Sequence, residues 1–345
     1  MKYQHIISAV CNQPWAILPE KMRAISAMLA FQASGGKLTE EQIREVVAGN
    51  PDLQAARQPS GPRAPGGVAV ISIRGVIAHR MNQVNDISGP GGTSIEGLTK
   101  SFRAALNDPN VKAIVFDVES PGGSVDGVPE LADEIYQARG QKKTVAVANT
   151  FAASAAYWLA SSASELVVTP SGMVGSIGVY CMHDDISQAL EKEGVKITLV
   201  HAGKYKVDGN SFEPLSDSAR ADMQSQVDSV YGMFVKAVAR NRGGGTKQSD
   251  VMNGFGEGRM VMGNLSVKQK MADRVATFDE VLASFGVGQK AETSLAASNE
   301  NRDRVDISAQ AEGISAAESS ANLESIRREH LDGELDTVLY GGSKE

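Results

Sequence analysis

The chain has 345 residues, 42% of them apolar, which is enough for one large globular domain or two ordinary ones. Its net charge of −7 provides no basic face for nucleic acid or for an anionic membrane. Cys11 and Cys181 are too few for a disulfide framework or a cysteine-based zinc site, and no apolar window reaches the ~18 residues of a membrane span. The first residues do not form an export signal, so we expect a cytoplasmic protein.

Residues 1–49 are predicted to form a helical arm, because apolar side chains recur at helical spacing through residues 15–48. Thr39 and Gln42 form a capping-box pattern before the second helix of this arm. Residues 50–67 hold four prolines and three glycines, a composition that resists regular structure. The sequence therefore predicts an arm followed by a linker.

Residues 68–285 are predicted to form an α/β domain, because β-branched runs alternate with amphipathic stretches of about 10–15 residues. Such alternation is typical of right-handed βαβ crossovers and a mainly parallel sheet. Strands are expected at residues 68–77, 111–120, 143–149, 165–170 and 196–203. Helices are expected at residues 93–109, 125–140, 153–163, 185–194 and 216–242, with a last helix near 265–272.

Residues 286–345 are predicted to be a polar, acidic and mobile tail. Residues 290–345 hold twelve acidic and six basic side chains, and Tyr340 is their only aromatic residue. Such a segment buries too little apolar area to offset the entropy of ordering it, although residues 317–331 could form a short helix.

Two strand-to-helix junctions carry residues suited to chemistry, because backbone N–H groups at such junctions point into a crevice. In ESPGGSVDG, Gly122 and Gly123 let the backbone approach a ligand without a Cβ atom in the way. In FAASAAYWLA, Ser154 stands at the expected start of a helix, where the N–H of Ala155 could face a developing oxyanion. Taken singly, each has an ordinary alternative, a glycine-rich turn for the first and a helix N-cap for the serine.

A nucleophilic serine needs a base, and the sequence offers two kinds. The histidines are His5, His79, His183, His201 and His330. None of them has a triad context. Lys204 and Lys206 lie in a glycine-flanked loop after the expected strand 196–203, and a lysine can serve in a Ser-Lys dyad once desolvation makes it neutral. Solvent-exposed lysines are the ordinary alternative, so these residues alone leave the base open.

Three segments, taken together, resemble the signal peptide peptidase A, or protease IV, family of serine proteases, which share the Clp protease/crotonase-type fold. ESPGGSV is similar to the SPGG loop of that family. ASAAYWLASSASELVVTPSGMVGSIGV is similar to its ASGGYY…GSIGV block, and GKYKVDGNSFEPLS to its GxYK…P segment. The resemblance covers residues 68–285, and three motifs in order are more specific than any one of them.

The resemblance implies that Ser154 is the nucleophile and that Lys206 is the general base, with Lys204 the weaker candidate. Such a reaction uses no metal and no cofactor. Ala155 and Ala156 stand where the family has two glycines, and their methyl groups are expected to narrow the cleft.

The resemblance also implies a set of backbone groups around the serine. The N–H of Ala155, with that of Gly122 or Gly123, would form the oxyanion hole. Gly175 and Ser176, in the GSIGV segment, would line the cleft, and Ser176 would hydrogen-bond the lysine base.

The arm and the tail resemble the subgroup of head-maturation (prohead) proteases of tailed phages, where the protease domain can carry a scaffold-like extension. The resemblance implies a homo-oligomeric endopeptidase that cleaves scaffold, capsid or portal protein, and itself, in the host cytoplasm or inside a procapsid. No nucleic acid or membrane partner is expected. The alternatives are a cytoplasmic peptidase that degrades signal peptides or other peptides, a non-catalytic capsid assembly (scaffold) factor, and a crotonase-type acyl-CoA enzyme.

Overall fold

The computed structural model describes residues 13–23, 25–26, 67–80 and 92–287. The predicted capping box at Thr39, the linker up to residue 66 and the acidic tail from residue 288 lie outside the described residues. The described part contains both strand-to-helix junctions and both loop lysines that the sequence singles out.

Eleven strands in the described part form two sheets. The strands are β1 (Trp15–Ile17), β2 (Val68–Arg74), β3 (Ile77–Ala78), β4 (Thr93–Ser94), β5 (Ala113–Ser120), β6 (Gly122–Ser124), β7 (Lys143–Ala153), β8 (Glu165–Val168), β9 (Met173–Gly175), β10 (Met260–Met262) and β11 (Arg274–Val275).

The larger sheet has seven strands and is mainly parallel, which confirms the predicted α/β architecture. β2, β5 and β7 lie side by side in parallel, and β7 pairs with β8 and, further along, with β9. β5 is buried almost throughout: Ile114 and Phe116 face one apolar cluster while Val115 faces another. Burial on both faces explains the continuous apolar run in the sequence.

The smaller sheet has four strands in the order β1-β6-β3-β4. β6 contains the Gly122-Gly123 pair and forms the middle of this sheet. β3 pairs with β6 in parallel, and β1 pairs with its other side antiparallel. The glycine loop is therefore held between two neighbouring strands.

Residues 19–23 and 25–26 are helical, and eight further α-helices are described from residue 95 onwards. They are α1 (Ile95–Asn107), α2 (Val128–Gln137), α3 (Ala155–Ser161), α4 (Ser187–Lys192), α5 (Asp217–Arg242), α6 (Gln248–Gly254), α7 (Gly263–Lys268) and α8 (Phe278–Ser284). α1 shows why they form: the Ser94 side chain caps the helix by accepting from the N–H of Gly97, and Ile95, Leu98 and Phe102 recur at helical spacing on the buried face. In the core, the Trp158 ring of α3 stacks on Phe234 of α5 with centroids 4.5 Å apart.

Three expectations about elements are wrong. Residues 15–17 form a strand, because Pro14 and Pro19 bound a short apolar run that pairs with β6. Residues 196–203 form no strand, because they have no pairing partner, and Val200 is 96% exposed. The helix near 265–272 ends at Lys268 and is followed by β11 and α8, so it is not the last helix.

Candidate active site

Ser154 occupies a strained turn between β7 and α3. Its backbone has φ 56° and ψ −119°, a region that residues with a side chain rarely adopt. The residue stands at the N-cap position, yet its side chain makes no capping hydrogen bond. The ordinary N-cap role is therefore absent, and the geometry is that of a serine presented on a sharp strand-to-helix turn, as in nucleophile elbows.

The strained turn is fixed on both sides by hydrogen bonds. The N–H of Ser154 donates to the carbonyl of Gly175, 2.8 Å away, and the N–H of Trp158 donates to the Ser154 carbonyl at 3.0 Å. The Ser154 hydroxyl is 3.4 Å from the carbonyl of Gly178, a long and therefore weak hydrogen bond. The backbone is thus held rigidly while the hydroxyl stays available for another partner.

The far end of α3 is anchored by Arg139. Its guanidinium donates to the carbonyls of Ser161 and Ser162, at 2.8 and 2.9 Å, and to that of Asn241 at 3.0 Å. Burial lowers the pKa of Arg139 from its ordinary value. A cation at the C-terminal end of a helix satisfies carbonyls that lack partners within the helix, so Arg139 helps to hold α3, and with it the Ser154 turn.

The glycine pair lies beside the first N–H of α3. Gly122 has φ +91°, and a Cβ atom on it would lie 3.0 Å from the Ala155 nitrogen. Its own N–H donates to the Ser120 hydroxyl at 3.2 Å, and that hydroxyl donates to the carbonyl of Gly75 at 2.6 Å. The Gly122 N–H therefore already has an acceptor, the Ser120 hydroxyl, on the side of β6 that faces away from β1.

The N–H of Gly123 points the other way, towards β1. The N–H of Leu18 donates to the carbonyl of Pro121 at 2.9 Å, and Ala16 faces Gly123 in the antiparallel register. Because hydrogen-bonded pairs alternate along an antiparallel ladder, Ala16 and Gly123 form the next such pair, and the Gly123 N–H donates to the Ala16 carbonyl. Of the two glycine N–H groups, that of Gly123 is thus the one that donates to a residue outside the loop, namely Ala16.

Gly175 ends β9 and Ser176 follows it, directly beside Ser154. Gly175 has φ +127° and Ser176 has φ 54°, and the Ser176 N–H donates to the carbonyl of Arg259 at 2.9 Å. Ser176 is 5% exposed. Ser176 is thus a second strained serine near Ser154. Among the described residues, its hydroxyl forms no hydrogen bond.

The described residues show no hydrogen bond between Ser154 and either loop lysine. Both Lys204 and Lys206 are exposed. The ammonium of Lys204 lies 4.8 Å from the centroid of the Tyr205 ring, and the backbone N–H of Lys206 donates to the Gly203 carbonyl at 3.2 Å. A serine–lysine hydrogen bond is therefore not formed among the described residues.

The histidines in the described part bond elsewhere. His183 Nε2 lies 3.1 Å from the Asn210 carbonyl, and His201 Nδ1 lies 3.0 Å from the Gly203 carbonyl. His79 is exposed beside Gly127. His5 and His330 lie outside the described residues. None of the three described histidines forms a hydrogen bond with Ser154.

Within the described ranges, no helix combines the length and the apolar character that crossing a membrane would need. The same residues contain no group of three or more His, Cys, Asp or Glu side chains that could hold a metal ion.

Two parts of the site are not predicted from the sequence. Ser120, which fixes the Gly122 amide, stands out there only as part of a loop motif. Ala16 falls in the predicted helical arm, although the short apolar run between Pro14 and Pro19 carries a strand signal. Both contacts are long-range, and no local pattern reports which segment pairs with the glycine loop.

Residues 137–292 match the family model described as Peptidase family S49. Together with the serine turn and the glycine loop, this match confirms the resemblance drawn from the three motifs. The chain carries a Peptidase family S49 domain.

The curated relatives include phage head proteins. The chain is 35% identical over 248 residues to the capsid assembly protease C of Escherichia phage lambda, covering 69% of this chain and 56% of that protein. It is 32% identical over 287 residues to the head-tail preconnector protein GP5 of Enterobacteria phage P21, covering 81% of this chain and 56% of that protein. The chain thus spans little more than half the length of these relatives. The predicted similarity to the phage subgroup is confirmed.

Solved structures resemble the fold at low identity. One is the 1510-N membrane protease specific for a stomatin homolog from Pyrococcus horikoshii, with 14% identity, covering 63% of this chain and 77% of that chain, and a TM-score of 0.37.

Proposed function

We propose that the protein is a serine endopeptidase with Ser154 as nucleophile. The observation that carries the proposal is the strained Ser154 turn, which places the serine next to the N–H of Ala155 and close to the glycine loop. A serine held in an unfavourable backbone conformation, without the capping bond that would explain its position, is typical of a residue constrained for function.

The proposed oxyanion hole consists of the N–H groups of Gly123 and Ala155. The Ala155 N–H lies at the first position of α3, where helical N–H groups have no partner within the helix. The Gly122 N–H is a weaker candidate, because the Ser120 hydroxyl already accepts from it. Two preorganised donors of this kind stabilise the negative charge that develops on a substrate carbonyl oxygen.

Lys206 is proposed as the general base, as the family resemblance implies. A lysine amine acts as a base only when it is neutral, and burial favours that form. The exposed Lys206 loop would therefore have to be covered before catalysis. Four apolar side chains on this loop and its approach are exposed and would be covered with it: Val195, Ile197, Val200 and Tyr205. We propose that a second copy of the chain packs on this segment in a homo-oligomer and helps to complete the site, with Ser176 hydrogen-bonded to the lysine amine.

In the proposed reaction, the Ser154 oxygen attacks the substrate carbonyl carbon while the neutral Lys206 amine takes the hydroxyl proton. The tetrahedral intermediate collapses, the peptide C–N bond breaks, and the lysine ammonium returns the proton to the leaving amine. A water molecule then attacks the acyl-enzyme with the same lysine as base, releasing the new carboxyl end and the serine. The steps need no metal or cofactor.

The proposed substrates are phage head proteins: scaffold, capsid or portal protein, and the chain itself. The similarity to two phage proteins whose names refer to capsid assembly and the head-tail connection supports this choice. The residues also remain compatible with a peptidase that degrades signal peptides or other peptides. A non-catalytic assembly factor is less well supported, because it would not require the strained serine.

The test is co-expression of the chain with the proteins encoded beside it, followed by intact-mass measurement of every product. Wild type should shorten a head protein, Ser154→Ala should leave all masses unchanged, and Ser229→Ala, an exposed helix serine, should behave as wild type. Equal shortening by Ser154→Ala would contradict the proposal. Unchanged masses in every sample would favour the assembly factor.

A further inference from the structure

We infer that β1 lies in the peptide-binding cleft as a built-in substrate mimic, so that a protein substrate reaches Ser154 only after β1 has been displaced. The inference rests on the proposed function, because it concerns access to the same serine.

Both backbone edges of β1 are paired as those of a bound peptide would be. One edge pairs antiparallel with β6, in the register Trp15 to Ser124 and Ile17 to Gly122. On the other edge, the N–H of Trp15 donates to the Tyr180 carbonyl at 2.8 Å, and the Tyr180 N–H donates to the Trp15 carbonyl at 3.0 Å. Extended peptides bind to proteins by this kind of strand addition, with main-chain hydrogen bonds on the exposed edges.

The carbonyl of Ala16 stands at the proposed oxyanion hole. It accepts from the Gly123 N–H in the β1–β6 register. A Cβ atom built on Gly122 would lie 2.2 Å from the Ala16 oxygen and 3.0 Å from the Ala155 nitrogen. The Ala16 carbonyl and the Ala155 N–H, which is the other proposed oxyanion-hole donor, therefore both lie next to the Gly122 Cα atom. The Ala16–Ile17 bond therefore occupies the place of a scissile peptide bond.

The surroundings of β1 agree with a closed cleft. Ser154 is 1% exposed, although a nucleophile that cuts proteins must be reached by an extended chain. The Ala16 side chain is 0% exposed, so the position it fills accepts a small residue. Trp15 and Ile17 pack with Met22, Tyr180 and Met182 in a small apolar cluster separate from the main core. The strand is thus held by its own local contacts, which can be released without opening the large sheet.

The inference has a consequence for specificity. If Ala16 marks the position before the cleaved bond, the substrate residue that replaces it should also be small. The same geometry makes the Ala16–Ile17 bond a candidate site of self-cleavage, which would release residues 1–16.

The test compares the rates at which a fluorophosphonate labels the full-length chain, followed by intact mass. Ala16→Pro removes the N–H that donates to Gly123 and breaks the strand pairing. It should be labelled at least about tenfold faster than wild type, which corresponds to about 1.4 kcal/mol in favour of the open cleft. Glu20→Ala, an exposed substitution three residues beyond β1, should be labelled at the wild-type rate. Circular dichroism checks that each variant is folded, and Trp15→Pro, which removes the bond to Tyr180, replaces Ala16→Pro if the latter does not fold.

A second measurement adds the peptide NQPWAILPE, residues 12–20, to the Ala16→Pro variant. The peptide should slow labelling towards the wild-type rate, and a scrambled peptide of the same composition should not. Release of residues 1–16 from wild type, and not from Ser154→Ala, would also support the inference, because it requires this bond to lie at the serine.

The outcomes separate the inference from the proposed function. Equal labelling of Ser154 in wild type and in Ala16→Pro would overturn the inference and leave the nucleophile in place. Labelling of neither chain would overturn both. Faster labelling of Ala16→Pro that the peptide fails to slow would also overturn the inference, because it would indicate a loosened fold and not an emptied cleft.

Discussion

Gly122→Ala should destabilise the protein strongly, because the added Cβ atom meets backbone on several sides. Gly122 has φ +91°, where a residue with a side chain is strained by roughly 1–2 kcal/mol. The Cβ would also lie 2.2 Å from the Ala16 oxygen and 3.0 Å from the Ala153 oxygen, and forcing extra atoms into packed structure costs about 1–3 kcal/mol. We expect a loss of at least about 2 kcal/mol, which lowers the Tm by roughly 4–8 °C for a domain of this size.

Thermal unfolding followed by circular dichroism measures this change. Gly140→Ala is the matched control, because a Cβ at Gly140 meets no atom within 4 Å, and it should melt at or slightly above the wild-type temperature. A Gly122→Ala protein that melts within a degree of wild type would mean that the glycine loop is not packed against β1 and α3.

Three further changes test other parts of the structure. Ser120→Ala leaves the Gly122 N–H without its acceptor and should cost about 1–2 kcal/mol in urea unfolding, whereas exposed Ser72→Ala should cost almost nothing; equal midpoints would contradict this role. Trp158→Ala removes the ring stacked on Phe234 and should cost about 3–5 kcal/mol; a loss below about 1 kcal/mol would contradict the described core. Burial alone would raise the pKa of Asp273, but the hydrogen bonds and charge of Arg242, the N–H of Leu166 and the charge of Arg139 together outweigh it and lower that pKa below its ordinary value. The stabilisation is therefore present above the unfolded pKa of about 3.9 and lost as the pH falls through the lower folded value, so wild type should lose stability below about pH 4 more steeply than Asp273→Asn; parallel curves would argue against the effect.

Much of the fold follows from local patterns in the sequence. The β-branched run before Ser120 and the capped amphipathic stretch after Ser94 both form as predicted, because burial on one or two faces leaves a periodic signature. Residues 196–203 carry the same β-branched signature and form no strand, because a strand also needs a neighbour with which to pair. Residues 15–17 of the predicted helical arm form a strand for the opposite reason: the pairing of Trp15 with Tyr180 joins residues far apart in sequence. Residues 19–23 and 25–26 of the same arm are helical.

The candidate site was predictable in part. Ser154 and the glycine pair stand at strand ends, where α/β folds place their chemistry, and the structure brings them together. Which glycine offers its N–H depends on the register between β1 and β6, a tertiary property. In the proposed mechanism Lys206 would reach Ser154 only once its exposed loop is covered, and no spacing in the sequence encodes that contact.

The most direct test of the Ser154–Lys206 assignment is to locate the fluorophosphonate adduct in the wild-type chain by peptide mass mapping and to measure its rate of formation in lysine variants. We expect one adduct per chain, on Ser154, and labelling at least about 100-fold slower in Lys206→Met, since a positioned base contributes roughly that much or more. Lys192→Met, an exposed lysine at the end of α4, should be labelled at the wild-type rate. An adduct on another serine, or Lys206→Met labelled as fast as wild type, would contradict the Ser154–Lys206 assignment.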